Sequence, residues 1–326
     1  MPKSNLKKVL VILGPTAVGK TEVAIKLAKK FDSELIAADS RQVYKDLDLG
    51  TGKYSPSDHF KKFSGKWLLN DVWIHGYDLV EPEKRFTAAD FAKFFAKTVK
   101  TIWSQNKLPI LTGGTGFYIK AALVGFETLG ISPNYQLRKK LEKFGPIELY
   151  SQLLAIDRKK AESLSYSDKK NPRRLVRAIE VAKLQESHPN SISMYRYMKK
   201  GEIDILKIGL TCEREKLFRR IDERVEDRIK MGMIDEVRNL LNKKINPNWL
   251  DSLGLEYRWI ASYLLGKVNF ASTLQRLKSD IRNFARRQLT WFKKDKDIMW
   301  FDITDKNYDK KVEKTVQKWY DNKIKN

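Results

Sequence analysis

A short unbroken apolar run, Val9-Leu10-Val11-Ile12-Leu13, stops at Gly14. Partly β-branched and free of charge, it reads as a strand buried on both faces of a parallel sheet. From Thr21 the period changes. Ala24, Leu27, Ala28 and Phe31 recur at helical spacing, with Lys and Glu on the other face. Residues 35–38 predict a second strand ending at Asp39, and residues 108–111 and 203–210 predict two more. Strands alternating with helices imply an α/β fold on a parallel sheet. Between about 128 and 200 the pattern becomes that of charged amphipathic helices, such as 135–144 and 172–184, with no buried strand. A helical insertion is expected there, leaving a core of 1–127 and 201–326. Within that core, 213–296 reads as mostly helical and strongly basic, and 308–326 as a charged tail, helical or frayed.

Charge adds a partner to this outline. Lys plus Arg number 64 against 40 Asp plus Glu, a formal charge of +24 in 326 residues. Such an excess favours a polyanion, because neutralised phosphates release condensed counterions. Cys212 is the only cysteine, which excludes an intrachain disulfide and a Cys-rich zinc site. His59, His75 and His188 are too scattered to form a metal cluster. The apolar run at 9–13 is too short for a signal or a membrane span, so a cytoplasmic protein with no membrane partner is expected.

Gly14-Pro15-Thr16-Ala17-Val18-Gly19-Lys20-Thr21 satisfies G-x-x-x-x-G-K-[ST] in full, between a predicted strand and a predicted helix. Its glycines let backbone amides curl round an anion, and the helix N-terminus adds partial positive charge. Lys20 would meet phosphate oxygens and the Thr21 hydroxyl would help hold Mg²⁺. The expected architecture is therefore a P-loop NTPase-like sheet flanked by helices, with a helical insertion. The motif does not name the reaction, since nucleotide-binding kinases and triphosphatases share it. Asp39 is open to two readings at this stage, a metal-shell carboxylate or a general base.

The residues that follow carry a resemblance. Asp39-Ser40-Arg41-Gln42-Val43-Tyr44 and Gly50-Thr51-Gly52-Lys53 resemble the D-S-x-Q-x-Y…G-T-x-K signature of the tRNA dimethylallyltransferases. Pro82 with Phe86-Thr87-Ala88-Ala89-Asp90-Phe91 and Gly113-Gly114-Thr115-Gly116-Phe117-Tyr118 continue the family order. Arg174-Leu175-Val176-Arg177-Ala178-Ile179-Glu180, Arg220-Ile221-Asp222-Glu223-Arg224-Val225 and Arg286-Arg287-Gln288-Leu289-Thr290-Trp291-Phe292 complete it. Three features depart from the family. The stretch from Lys53 to Asp78 is longer, Ile74-His75 replaces a His-His pair, and Leu255 stands where the family has tyrosine.

The resemblance implies transfer of a dimethylallyl group from dimethylallyl diphosphate, with Mg²⁺, to the exocyclic amine of the adenosine 3′-adjacent to the anticodon in tRNA. The leaving diphosphate needs fixed cations and amides, for which the P-loop, Arg220 and Arg224 are candidates. An adenine amine becomes acidic as its new bond forms, so an ordinary carboxylate can take the proton. Asp39 is the expected base, with Thr115 and Thr16 as hydrogen-bond partners. The acceptor base must leave its stack. Asp39, Ser40, Arg41, Gln42 and Tyr44 resemble residues that would meet it. Arg138, Arg173, Arg174, Arg177, Arg286, Arg287, Gln288, Trp291 and Lys293 are expected on the anticodon stem-loop. A monomer is expected. Rival readings are prenyl transfer to free adenine nucleotides, a small-molecule kinase, and an RNA-binding P-loop protein without chemistry.

Overall fold

The computed structural model describes residues 6–126, 128, 131–187 and 203–322. Two compact units emerge, Met1–Leu123 with Met198–Asn326, and Val124–Tyr197. Residues 127, 200 and 201, where the sequence places the unit boundaries, lie outside the described residues, as does His188.

The larger unit begins with β1 (Lys7–Leu13), α1 (Lys20–Lys30), β2 (Ser33–Ala37), β3 (Phe60–Phe63), β4 (Lys66–Leu69), β5 (Val72–His75), α2 (Ala88–Ser104), β6 (Leu108–Gly113) and α3 (Gly116–Leu123). The smaller unit holds α4 (Tyr135–Leu141), α5 (Pro146–Ile156), α6 (Arg158–Ser163), α7 (Tyr166–Lys169) and α8 (Pro172–Ser187). The larger unit resumes with β7 (Ile203–Thr211), α9 (Arg214–Lys230), α10 (Met233–Asn242), α11 (Pro247–Leu253), α12 (Leu255–Leu264), α13 (Phe270–Phe292), β8 (Ile298–Asp302) and α14 (Tyr308–Asp321). Among the described residues no helix is long and apolar enough to cross a membrane.

All eight strands form one sheet in the order β3-β4-β5-β2-β6-β1-β7-β8. The six strands from β5 to β8 run parallel, with Leu10 facing Ile110 on one side and Leu206 on the other. The four strands read from sequence are β1, β2, β6 and β7. Their uninterrupted apolar runs suit a sheet covered on both faces, and residues 9–12 are fully buried. Because β1 lies between β6 and β7 while β2 lies beyond β6, the loops after β1, β2 and β6 open at one end of the sheet. Such a crevice beyond the carboxyl ends is where α/β sheets bind ligands.

The segment between Lys53 and Asp78 extends this sheet as an antiparallel meander of β3, β4 and β5. Each strand has four residues, and Lys61, Lys62 and Lys66 interrupt the alternation. Order here comes from aromatic packing. Trp67 is fully buried, stacks on Phe60 at 5.0 Å and meets Tyr77 edge-on at 5.4 Å.

The smaller unit closes round Leu141, Leu149, Leu153, Leu175 and Ile179. Glu180 lies beside this core and organises cations expected to meet RNA. It accepts from Arg138 Nε at 3.0 Å and Nη2 at 2.8 Å, from the Asn134 amide, and from Arg177. Burial alone would raise the Glu180 pKa, but these donors hold it below the usual carboxylate range. Arg177 also donates to the carbonyls of Thr128 at 3.0 Å and Ile131 at 2.9 Å. Arg138 and Arg177 therefore brace the unit from within. Arg177, expected with Arg174 on the anticodon stem-loop, directs its guanidinium to Glu180 and to these two carbonyls. Arg174 pairs with Asp168 at the surface, and Arg173 beside it is exposed.

Candidate active site

The P-loop follows β1. Gly19, in left-handed conformation at φ 85°, caps α1, so the loop turns into the helix where a β-carbon would be strained. Beyond the strand ends lies a cavity of about 920 Å³, lined by Thr16, Ala17, Gly19, Lys20 and Thr21, by Asp39 and Gln42, and by Gly113 and Gly114. Helix α9 supplies the opposite wall. Arg220, Arg224 and Arg228 recur every four residues and so share one face of the helix. All three line the cavity.

The cations are held by loop carbonyls and hydroxyls. Lys20 Nζ donates to the Pro15 carbonyl at 2.6 Å and Arg220 Nε to the Ala17 carbonyl at 2.8 Å. Arg224 Nη1 lies 3.4 Å from Thr16 Oγ1, and Arg228 Nη1 donates to the Gly50 carbonyl at 3.1 Å. Burial, reinforced by Arg224 and opposed by Asp39, pushes the Lys20 pKa down to about 7. Burial and the neighbouring Arg228 likewise push Arg224 down, against Glu256 and Asp39. Guanidinium remains charged regardless. Like charges enclosed together are stabilised by an anion between them.

Lys20 gives a pH-dependent expectation. With its pKa lowered to about 7, the free protein holds Lys20 mostly neutral at pH 8. A bound anion favours the ammonium and raises that pKa, so binding inorganic diphosphate at pH 8 should draw a proton onto Lys20. Calorimetry in two buffers of different ionisation enthalpy should show more proton uptake for wild type than for Lys20→Met. Equal uptake would mean that Lys20 does not change its protonation when the anion binds.

Asp39 follows β2 and is partly exposed to the cavity. Its Oδ1 accepts from the Arg41 amide at 2.9 Å, which fixes the turn. Thr115 does not line the cavity. Its hydroxyl accepts from the Ser40 amide at 3.1 Å and its amide donates to the Ala38 carbonyl, so it holds the turn that presents Asp39. Gln42 donates to the Thr51 and Gly52 carbonyls at 3.2 and 3.4 Å. Arg41 lies over the Phe284 ring at 5.7 Å.

Helix α13 contributes differently from expectation. Gln288, assigned from sequence to tRNA, is buried: its Oε1 accepts from the Thr16 amide at 2.8 Å and its Nε2 donates to the Gly114 carbonyl at 2.9 Å. It ties the P-loop to the Gly-Gly-Thr loop. Trp291 packs so tightly on Gly116 that a β-carbon there would collide with its ring, yet it is 41% exposed. Arg286, Arg287 and Lys293 are exposed.

Several contributors carried no assigned role. Arg228 could have been found by extending the four-residue spacing of Arg220 and Arg224. Lys53 is fully inaccessible, its ammonium donating to the Tyr44 carbonyl at 2.7 Å and Asp48 Oδ1 at 2.8 Å and pairing with Asp78. Tyr77, also buried, lines the cavity, and burial raises its phenol pKa. Glu236 accepts from the amides of Asp48, Leu49 and Gly50 and from the Tyr257 hydroxyl.

A family model described as IPP transferase matches residues 42–295. The chain belongs to the IPP transferase family. The chain is 37% identical over 313 residues to the tRNA dimethylallyltransferase of Halothermothrix orenii, covering 95% of its own length and 91% of the relative's. It is 36% identical to that of Alkaliphilus metalliredigens, with 92% and 93% covered. Among solved structures it resembles the full-length tRNA isopentenylpyrophosphate transferase of Bacillus halodurans, with a TM-score of 0.67, 29% identity and 96% of each chain covered. The alignment with the Halothermothrix protein takes in nearly the whole IPP transferase chain, whereas the family model begins after the P-loop and Asp39.

Proposed function

We propose that this enzyme transfers the dimethylallyl group of dimethylallyl diphosphate to the exocyclic amine of the adenosine 3′-adjacent to the anticodon in tRNA. One observation carries the reading: Lys20, Arg220 and Arg224 converge on the P-loop while Asp39 faces the same cavity. The curated relatives, which are tRNA dimethylallyltransferases, support it.

The P-loop amides, Lys20 and the arginines hold the diphosphate and take up charge as the allylic C–O bond breaks. The adenine nitrogen forms the new C–N bond, and its proton passes to the Asp39 carboxylate. The products are diphosphate and N-alkylated adenosine. Mg²⁺ would be held by the Thr21 hydroxyl, which lines the cavity beside the P-loop, together with phosphate oxygens of the donor. Bound there, it would add charge stabilisation to the leaving diphosphate. Exposed Arg173, Arg174, Arg286, Arg287 and Lys293 remain candidates for tRNA phosphates.

Nucleoside mass spectrometry of tRNA incubated with enzyme, Mg²⁺ and dimethylallyl diphosphate should show one added dimethylallyl group, with no ATP required. Steady tRNA-dependent phosphate release from ATP, or modification of free adenine nucleotides in preference to tRNA, would overturn the proposal.

A further inference from the structure

Glu256, the second residue of α12, is a buried carboxylate with only 5% of its surface accessible. It follows two residues with positive φ, Gly254 at 71° and Leu255 at 48°. A non-glycine residue held there marks a position fixed by its surroundings. The two carboxylate oxygens serve different guanidiniums. Oε1 accepts from Arg228 Nη1 at 3.2 Å, and Oε2 lies 3.7 Å from Arg41 Nη1.

Those arginines come from different elements, Arg228 from α9 and Arg41 from the turn after β2. Arg228 stands beside Arg224 on α9 and grips the Gly50 carbonyl, and its side chain is only 10% accessible. Arg41 follows the Asp39–Ser40 turn, lies over the Phe284 ring and has a more open side chain, 21% accessible. Without the Glu256 carboxylate, the buried Arg228 would lose its ion pair and keep only the Gly50 carbonyl and more distant carboxylates. Arg41 would keep only a weak ring contact to hold its guanidinium in place.

We infer that Glu256 is a positioning residue, neutralising Arg228 beside the diphosphate site while fixing Arg41 where the tRNA acceptor enters. The inference rests on the tRNA reading above. Glu256 itself is closed off from both substrates and acts through Arg41. A group with a purely structural role would lower stability without making its own replacement and that of Arg41 interdependent.

The test is a double-mutant cycle of wild type, Glu256→Gln, Arg41→Gln and the double variant. Three readouts are needed: tRNA affinity, KM and kcat with tRNA, and inorganic diphosphate affinity by calorimetry. Glu256→Gln should weaken tRNA binding and raise its KM by about tenfold. Diphosphate affinity, set mainly by Lys20, Arg220 and Arg224 with Arg228 still held at the Gly50 carbonyl, should change less than tRNA affinity does. The double variant should bind tRNA no more weakly than Arg41→Gln alone, and Glu256→Asp should recover part of the loss. Multiplying losses in the double variant, or wild-type tRNA binding in Glu256→Gln, would overturn the inference. Should Glu256→Gln fold poorly by thermal melting, Glu256→Asp with Arg41→Lys gives the same cycle. Wild-type protein that binds tRNA without forming product would refute the reaction, while the binding cycle would still decide Glu256.

Discussion

Asp39→Ala should lower turnover by about 10²–10⁴-fold, the usual contribution of a positioned general base, while diphosphate binding is retained. The carboxylate has two tasks that can be separated. One is the proton transfer, and the other is acceptance of the Arg41 amide at 2.9 Å, which shapes the turn. Asp39→Asn keeps an acceptor oxygen for that amide but cannot take the proton. If both variants fall equally, the loss is chemical. Recovery in Asp39→Asn would reassign Asp39 to holding the turn. Removing the carboxylate also takes away a charge that raises the Lys20 pKa, so that pKa should drop further in Asp39→Ala. Single-turnover rates at saturating donor and tRNA, followed as pH falls below about 7 so that Lys20 regains its proton, separate this side effect from the loss of the base.

Gly52→Ala should weaken diphosphate binding by about 2–3 kcal/mol, a factor of roughly 30–160. Gly52 has φ 65°, and a β-carbon there would collide with the guanidiniums of both Arg228 and Arg224. Long side chains can often swing away from such a clash. These two cannot do so freely, because Arg228 is anchored to the Gly50 carbonyl and Glu256, and the half-buried Arg224 lies against the Thr16 hydroxyl. The damage therefore falls on the charge geometry of the cavity, with a further loss of about 1 kcal/mol in stability from the left-handed backbone. Calorimetric titration with inorganic diphosphate reads the first effect and a thermal melt the second. Unchanged diphosphate affinity would mean that the arginines are not part of the anion site.

The P-loop and its flanking β1 and α1 were legible in sequence because a period switch and a fixed glycine spacing coincide there. The arginine wall was half legible, since Arg220 and Arg224 lay in a recognisable motif and Arg228 one helical turn further on. The meander of β3, β4 and β5 was not. Its strands are short and interleaved with lysine, and their order depends on Trp67 meeting Phe60 and Tyr77. Lys53 belonged to a motif, yet lysine is almost never fully buried, so its enclosure between Asp48 and Asp78 could not be inferred from residue type. Leu255 departs from the family's tyrosine. Two residues later, the fully buried Tyr257 packs its ring against Gly50 and donates to Glu236 Oε1 at 2.8 Å. Gln288 looked like an RNA contact because it sits among arginines, and only the folded chain shows it facing the P-loop.

The Gln288 tie also has a consequence in time. Thr16 and Gln288 are 272 residues apart, so at ordinary translation rates of about 5–20 residues per second the ribosome needs roughly 14–54 s to pass from one to the other. Throughout that interval a nascent chain carries the complete glycine-lysine motif without the side chain that draws the Thr16 amide toward the Gly114 loop. The Arg220 and Arg224 wall is likewise made only after most of that wait. A growing polypeptide therefore carries its phosphate loop long before Gln288 can hold it, and α13, the longest helix among the described residues, completes the site.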